Sequence, residues 1–249
     1  MAVRPRRRRG HGQHFLRSSK LAAELVRAAG IGPGDLVLDL GAGTGMLTAA
    51  LLDHGASVVA IEFDTELATG LRKRFPRARV VEDDLLRAAF PSVRFKVVAN
   101  LPFGSSTAIL RRLLDPQVLL ESADVIVDWH LASKRASVWP GTQLSACWGA
   151  WFDLSVVRRL PRFVFAPSPS VDAGLLRAVR RSDPLVPASE HTSYQGFLAR
   201  GYRDGLRAVA TPRQLKRLEA ELGFARHARP RDLDAAQWAN LWRAVRQSV

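Results

Sequence analysis

The chain has 249 residues, 47% hydrophobic and 24% charged, the make-up of a globular protein with room for one large domain or a large and a small one. Its formal charge of +14 points to a polyanionic partner, nucleic acid before a membrane surface. A single cysteine, Cys147, excludes an internal disulfide and a cysteine metal cluster, and the apolar runs fall far short of the ~20 residues of a membrane span, so a cytoplasmic protein is expected.

Residues 1–12, "MAVRPRRRRGHG", are basic and nearly free of apolar side chains, which predicts a disordered arm rather than a secretory signal. "SSKLAAELVRAAGI" has helical periodicity with a serine cap. "LVLDLGAGTG" is a short apolar strand running into a glycine loop, and "MLTAALLDHG" the helix after it. Strand and helix then alternate: "SVVAIEFD", "TELATGLRKRF", "ARVVEDDLL", "FKVVANLPF", "STAILRRLLD", and "ADVIVDWHLASKRAS", which begins extended and turns helical. This alternation predicts a parallel sheet covered by helices on both faces. "WFDLSVVRRL" and "AGLLRAVRR" read as two further strands. Beyond the Pro/Ser stretch "SDPLVPAS" there are only helical signals, in "HTSYQGFLARGYRDGLRAVA", "TPRQLKRLEAELGF" and "DAAQWANLWRAVRQ". The reading is a basic arm at 1–12, an α/β catalytic domain at 13–182 and a small all-helical domain at 183–249, too small to be comfortable alone and so packed on the first.

The glycine loop places Gly41, Gly43 and Gly45 between a strand and a helix, where a ligand can approach the backbone closely. Alone this suits a dinucleotide as well as S-adenosylmethionine. Glu62 ends the next strand 21 residues after Gly41, where a ribose-binding acid is expected. Asp83 and Asp84 end the third strand, where an acid can accept from an adenine amine. The fourth strand delivers Asn100, Leu101, Pro102 and Phe103 to the same edge. The Asn100 amide oxygen and nearby carbonyls can receive both hydrogens of an exocyclic amine, and Phe103 can stack on the base for ~1–3 kcal/mol. Chemistry on a base requires it to leave its stack, and an aromatic clamp fits that need. The histidines show no metal-ligand spacing, and Trp129, Trp139, Trp148 and Trp151 read as core.

"GQHFL" at 12–16, "LDLGAGTG" at 38–45, "IEFD" at 61–64, "EDDLL" at 82–86, "NLPF" at 100–103 and "FAPSPSV" at 165–171 occur in this order. Together they resemble the rRNA adenine-N6 methyltransferases, and within these the Erm macrolide-resistance methylases of actinobacteria. The resemblance implies a Rossmann-like S-adenosylmethionine-dependent fold with a C-terminal helical RNA-binding domain. It implies that the chain methylates one adenine of 23S rRNA, once or twice, blocking macrolide, lincosamide and streptogramin B binding. A monomer is the default expectation, and the histidine spacing and short apolar runs point to no metal and no membrane. It assigns the cofactor to Gln13, His14, Leu16, the three loop glycines, Glu62, Asp84 and Asn100. It assigns catalysis to Asn100, Leu101, Pro102 and Phe103, and base stacking to Phe103 and Phe165. His14 stands where the family has Asn, Asp83 where it often has Gly, and "DWHLASKRAS" replaces a more acidic segment. The competing readings are dimethylation of 16S rRNA, DNA adenine methylation, which usually carries D/N-P-P-Y/F, and a non-catalytic rRNA-binding assembly factor.

Overall fold

The computed structural model describes residues 14–137, 141–225 and 227–247, so the basic arm, Gln13 and Trp139 lie outside it. The chain opens with a short strand, Phe15–Leu16 (β1), and a helix, Ser19–Ala28 (α1), whose first turn is capped by the Ser18 hydroxyl accepting from the Leu21 N–H. The predicted alternation follows as Leu36–Leu40 (β2), Met46–Asp53 (α2), Ser57–Glu62 (β3), Thr65–Arg74 (α3), Arg79–Glu82 (β4), Phe95–Asn100 (β5), Ser106–Leu113 (α4), Leu120–Asp128 (β6) and Trp129–Ala136 (α5). Next come Gln143–Trp148 (α6), Phe152–Leu160 (β7), Phe165–Ala166 (β8) and Ala173–Arg180 (β9). Three helices finish the chain: His191–Asp204 (α7), Pro212–Leu222 (α8) and Ala235–Arg246 (α9).

Among the described residues seven strands form one sheet in the order β4-β3-β2-β5-β6-β9-β7. β4, β3, β2, β5 and β6 run parallel, and β9 and β7 run antiparallel to their neighbours. The order reverses between β2 and β5, so the carboxyl ends of β2, β3, β4 and β5 converge on one crevice, where ligands bind in open sheets of this kind. The central strands are buried on both faces, which is why "LVLDL" and "FKVVAN" read as near-continuous apolar runs instead of alternating ones. Arg177 of β9 ties α1 to the sheet: its guanidinium bonds Asp124 of β6 (Nη2–Oδ1 2.6 Å) and the Ala28 carbonyl (2.6 Å).

The Pro/Ser stretch after β9 is docked onto the sheet domain. Leu185 N–H bonds the Ala150 carbonyl (2.8 Å), the Trp151 indole N–H bonds the Val186 carbonyl (2.7 Å), and Val186 is buried. One apolar cluster runs from Leu38 and Val125 in the sheet through Trp148 and Trp151 to Tyr194, Phe197, Trp238 and Trp242 of the terminal helices. A helical tail of this size has too little core of its own and takes it from the sheet domain. Several elements depart from expectation, the short paired strands β1 and β8 among them. α6 is unforeseen, although Thr142 and Ser145 form its reciprocal cap. The helix expected to run on to residue 210 stops at Asp204, where Gly205 (φ +86°) leaves helical geometry and a short 3-10 turn follows.

Candidate active site

The crevice at the carboxyl edge holds a cavity of about 270 Å3 lined by Glu62, Phe63, Asp84, Leu85, Asn100 and Phe103 among others. A second, much smaller cavity of about 20 Å3 lies against the glycine loop, and Phe15, Gly41 and Asn100 line both. Glu62 is only 3% exposed, and its carboxylate accepts from the Gly43 N–H (2.7 Å) and the Asp64 N–H (2.9 Å). Four lone-pair sites on two oxygens leave capacity for two more donors, such as vicinal hydroxyls. Asp84 has Oδ1 on the Leu86 N–H (2.9 Å), which fixes the carboxylate at the cavity wall. Arg112 of α4 holds this wall: its guanidinium donates to the carbonyls of Leu85 (2.5 Å) and Ala88 (2.8 Å).

Asn100 ends β5 with its side-chain amide between the cavities. Its Nδ2 donates to the His14 carbonyl (2.5 Å). A carbonyl can only accept, so this bond dictates the amide's orientation and leaves Oδ1 as the free acceptor. Among the described residues that buried oxygen has no partner. An unpaired buried acceptor costs ~1–3 kcal/mol, and its presence at a cavity calls for a donor supplied from outside the fold. Of the nearby carbonyls, that of Pro102 is already taken by the Ser105 N–H (3.0 Å) and the Ser106 hydroxyl (2.9 Å). The Leu101 carbonyl accepts nothing among the described residues, and the Leu101 N–H holds the turn to Ile126 of β6 (3.0 Å).

The segment His14–Leu16 lies over this edge as a strap. β1 pairs antiparallel with β8, Leu16 opposite Phe165, and His14 Nδ1 bonds the Pro167 carbonyl (2.8 Å). The His14 ring sits 5.4 Å from Phe103, and Phe165 meets Phe103 edge-on at 6.5 Å. Phe165 was expected to stack on the substrate base. It is instead 1% exposed and absent from the cavity lining, because the β1–β8 ladder and the apolar layer behind it absorb the ring. Its position makes it a support for Phe103.

The three glycines divide their work. Gly41 lines both cavities. Gly43 (φ +55°) gives its N–H to Glu62, and a Cβ there would fall 2.5 Å from Phe15 Cε1. Gly45 (φ +81°) is turned to the protein interior, where a Cβ would land on Phe75 and Leu71 of the α3 segment. Phe63, Phe15 and Leu85 line the main cavity and carried no role in the sequence reading. Phe63 carried a signal: it follows the strand-end acid and stays 72% exposed, costly for a phenyl ring unless a planar ligand covers it. Under the loop, Asp39 is buried and hydrogen-bonded to the Thr48 hydroxyl (2.7 Å); burial pushes its carboxyl up to about 7. Burial also pushes the Cys147 thiol up to about 12, so it stays protonated and unreactive.

An apolar slot at Phe63 and Leu85, two carboxylates with spare acceptor capacity, a glycine loop and an orphaned amide oxygen fit a nucleoside-bearing sulfonium cofactor. The ribosomal RNA adenine dimethylase family model matches residues 4–201. The chain belongs to that family. It is 35% identical over 95% of its length, and 78% of the relative's, to the mycinamicin-resistance protein MyrB of Micromonospora griseorubida. It is 34% identical to the ribosomal RNA small subunit methyltransferase A of Chlorobaculum parvum, covering 77% of this chain and 72% of the relative. In structure it superposes on the 23S rRNA methyltransferase ErmE with a TM-score of 0.82 at 27% identity, over 94% of this chain and all of ErmE. The family member described here is therefore an S-adenosylmethionine-dependent rRNA adenine-N6 methyltransferase with an α/β methyltransferase sheet and C-terminal helices. No helix among the described residues is long and apolar enough to cross a membrane.

Proposed function

We propose that this methyltransferase modifies N6 of one adenine in 23S rRNA, in the region where macrolide-type antibiotics bind, and so confers resistance to them. The reading is carried by the unpaired Asn100 Oδ1 at the cavity, next to Phe103. The 23S target is favoured because the sequence resemblance to MyrB extends over 95% of the chain, against 77% for the small-subunit relative. Dimethylation of 16S rRNA is the second reading, and that relative's 34% identity is the observation behind it.

S-adenosylmethionine, when bound, supplies a methyl group on a sulfonium, with Glu62 receiving the ribose hydroxyls, Asp84 the adenine amine, and Phe63 and Leu85 the adenine faces. The glycine loop at Gly41 and Gly43, with Leu16 and the strap, would bound its methionine limb. Asn100 Oδ1 and the Leu101 carbonyl accept the two N6 hydrogens of the target adenine. That pulls the nitrogen out of conjugation and aims its lone pair at the methyl carbon, a contribution of orientation and fixed dipoles. The sulfonium, when bound, would keep the S–C bond pair as N6 takes the methyl carbon. The alkylated nitrogen is then acidic enough to release its proton to water, so no strong base is required. Phe103, braced by His14 and Phe165, stacks on the flipped base. The exposed Arg200, Arg207, Arg213 and Lys216 of the terminal helices and the basic arm would grip RNA phosphates. In this reading the protein works as a monomer in the cytoplasm, where a ribosomal substrate would meet it.

The test offers purified protein and methyl-labelled S-adenosylmethionine to 23S rRNA, 16S rRNA, assembled subunits and adenine-rich DNA, then maps the label by primer extension. Label at a single adenine of the macrolide region is expected. Label confined to 16S rRNA would overturn the target, and label in no nucleic acid would overturn the activity.

A further inference from the structure

Beside the active site, at the junction of β6 and α5, a separate open cavity of about 450 Å3 is lined by Trp129, His130, Arg159, Arg162, Ser170, Val171 and Asp172. Its floor is a built stack. Gly174 of β9 has no side chain, and a Cβ there would fall 2.5 Å from Ala132 Cβ and 3.3 Å from Trp129 Cε3, so the bare strand lets the first turns of α5 and the indole approach closely. The Arg159 guanidinium lies over the indole, 4.8 Å from its ring. Asp172 fixes that guanidinium through Nε (2.9 Å) and Nη2 (2.9 Å), and is itself held by the Arg162 N–H (3.0 Å). The result is a cationic plane backed by an aromatic ring and clamped along one edge by a carboxylate. Its side chain is still 58% exposed. A surface arginine needs none of this bracing to stay in solution, and a planar fork loses little entropy when it then takes a ligand.

The cavity belongs to the same edge of the sheet as Asn100. Asn100 is paired with Ile126, and Trp129 lies three residues further along, roughly 10 Å at a strand's rise per residue. The Trp129 N–H bonds the Asp172 carbonyl (2.9 Å), joining α5 to the loop that also carries Phe165 and Pro167. Phe163, on that loop beside Arg162, is 69% exposed. Aromatic and guanidinium planes beside free cations are how single-stranded nucleotides are held.

We propose that this cavity binds one nucleotide neighbouring the target adenine, its base stacked on the outer face of Arg159 and its phosphate against Arg162. The inference rests on the RNA-methylating function above and adds a contact that reads the target's surroundings.

The test uses the full chain and RNA hairpins carrying the mapped target adenine, with each of the two neighbours on either side replaced in turn by an abasic nucleotide. Wild type should lose roughly tenfold in KM for RNA at one abasic position, as expected for one lost base stack. Arg159→Lys keeps the charge and the Asp172 pair but loses the plane. It should show that same loss on intact RNA, no further loss at that abasic position, and a kcat within about twofold of wild type. Arg162→Ala should raise KM on every RNA alike. A wild-type scan with no sensitive position overturns the inference, as does an Arg159→Lys loss that multiplies with the abasic loss. Failure of wild type to methylate any RNA would instead bring down the function on which the inference rests, and the first arm separates the two.

Discussion

Asn100 does two things at once, and two substitutions separate them. Its Nδ2 anchors the strap through the His14 carbonyl, and its Oδ1 is the acceptor left for the substrate amine. Asn100→Ala removes both. Losing one preorganised transition-state partner costs about 10²–10³ in kcat, and losing the strap bond costs about 1 kcal/mol. Asn100→Asp keeps the acceptor and places a carboxylate oxygen where the donor stood, 2.5 Å from the His14 carbonyl, so the strap loosens while the chemistry retains its acceptor. The expected pattern is a kcat lowered about 300-fold for Ala and no more than about tenfold for Asp, with KM for S-adenosylmethionine raised in both. RNA affinity should stay within about twofold of wild type, because few phosphate contacts are touched. Single-turnover methyl transfer at saturating RNA, with filter binding for RNA affinity, reads each quantity apart. An Ala variant within threefold of wild type in kcat would refute the acceptor role. An Asp variant as slow as Ala would show that the amide matters as a donor to the strap.

Phe63→Ala should weaken S-adenosylmethionine binding by about tenfold through the lost face contact and leave RNA affinity unchanged, measured by calorimetry and filter binding. Gly43→Ala combines a left-handed backbone with a Cβ 2.5 Å from Phe15 Cε1, so a loss of about 2–4 kcal/mol in urea denaturation is expected; an unchanged midpoint would mean that Phe15 yields freely. Asp39 gives a pH signature. Its carboxyl is raised to about 7 in the folded chain from an ordinary value of 3.8, so the stability from its protonated form is fully present below about 4 and lost as pH rises through 7. Relative to wild type, Asp39→Asn should gain stability steadily from pH 4 to 8, by up to about 4 kcal/mol, and a pH-independent difference would show that Asp39 is ionised throughout.

The central strands and the edge they form were legible because burial on both faces writes itself as continuous apolar runs, and because Gly41, Glu62 and Asn100 each sit one step past such a run, with Asp84 two residues beyond β4. Three things were not legible. Phe165 was given to the target base by resemblance, yet it is buried by a strand whose partner, Leu16, lies about 150 residues away. No local pattern carries that pairing. Gly45 looks like part of a ligand loop, but its missing side chain answers to Phe75, thirty residues on. Arg112 looks like one more surface cation of a basic chain, whereas its fork closes the carbonyls of the loop behind Asp84. Each miss is a tertiary contact made by a residue type with an innocent local explanation.

The loop from Arg162 to Asp172 now explains why the strap, the catalytic turn and the outer cavity belong to one device. Its Phe165 braces Phe103, its Pro167 carbonyl holds His14, and its Asp172 clamps Arg159. The strap in turn bonds Asn100, and Phe15 within it covers Gly43 at the cofactor loop. A bound cofactor pressing on the strap and a nucleotide seated on Arg159 would therefore act on the same backbone from opposite sides. If both ligands favour one arrangement of that loop, each must raise affinity for the other by the same factor, since coupling is reciprocal. Measured RNA affinity with and without a non-reactive sulfonium analogue, and analogue affinity with and without RNA, should give one number. A ratio of one in both pairs of measurements would mean that the loop is a rigid frame and that its two ends work independently.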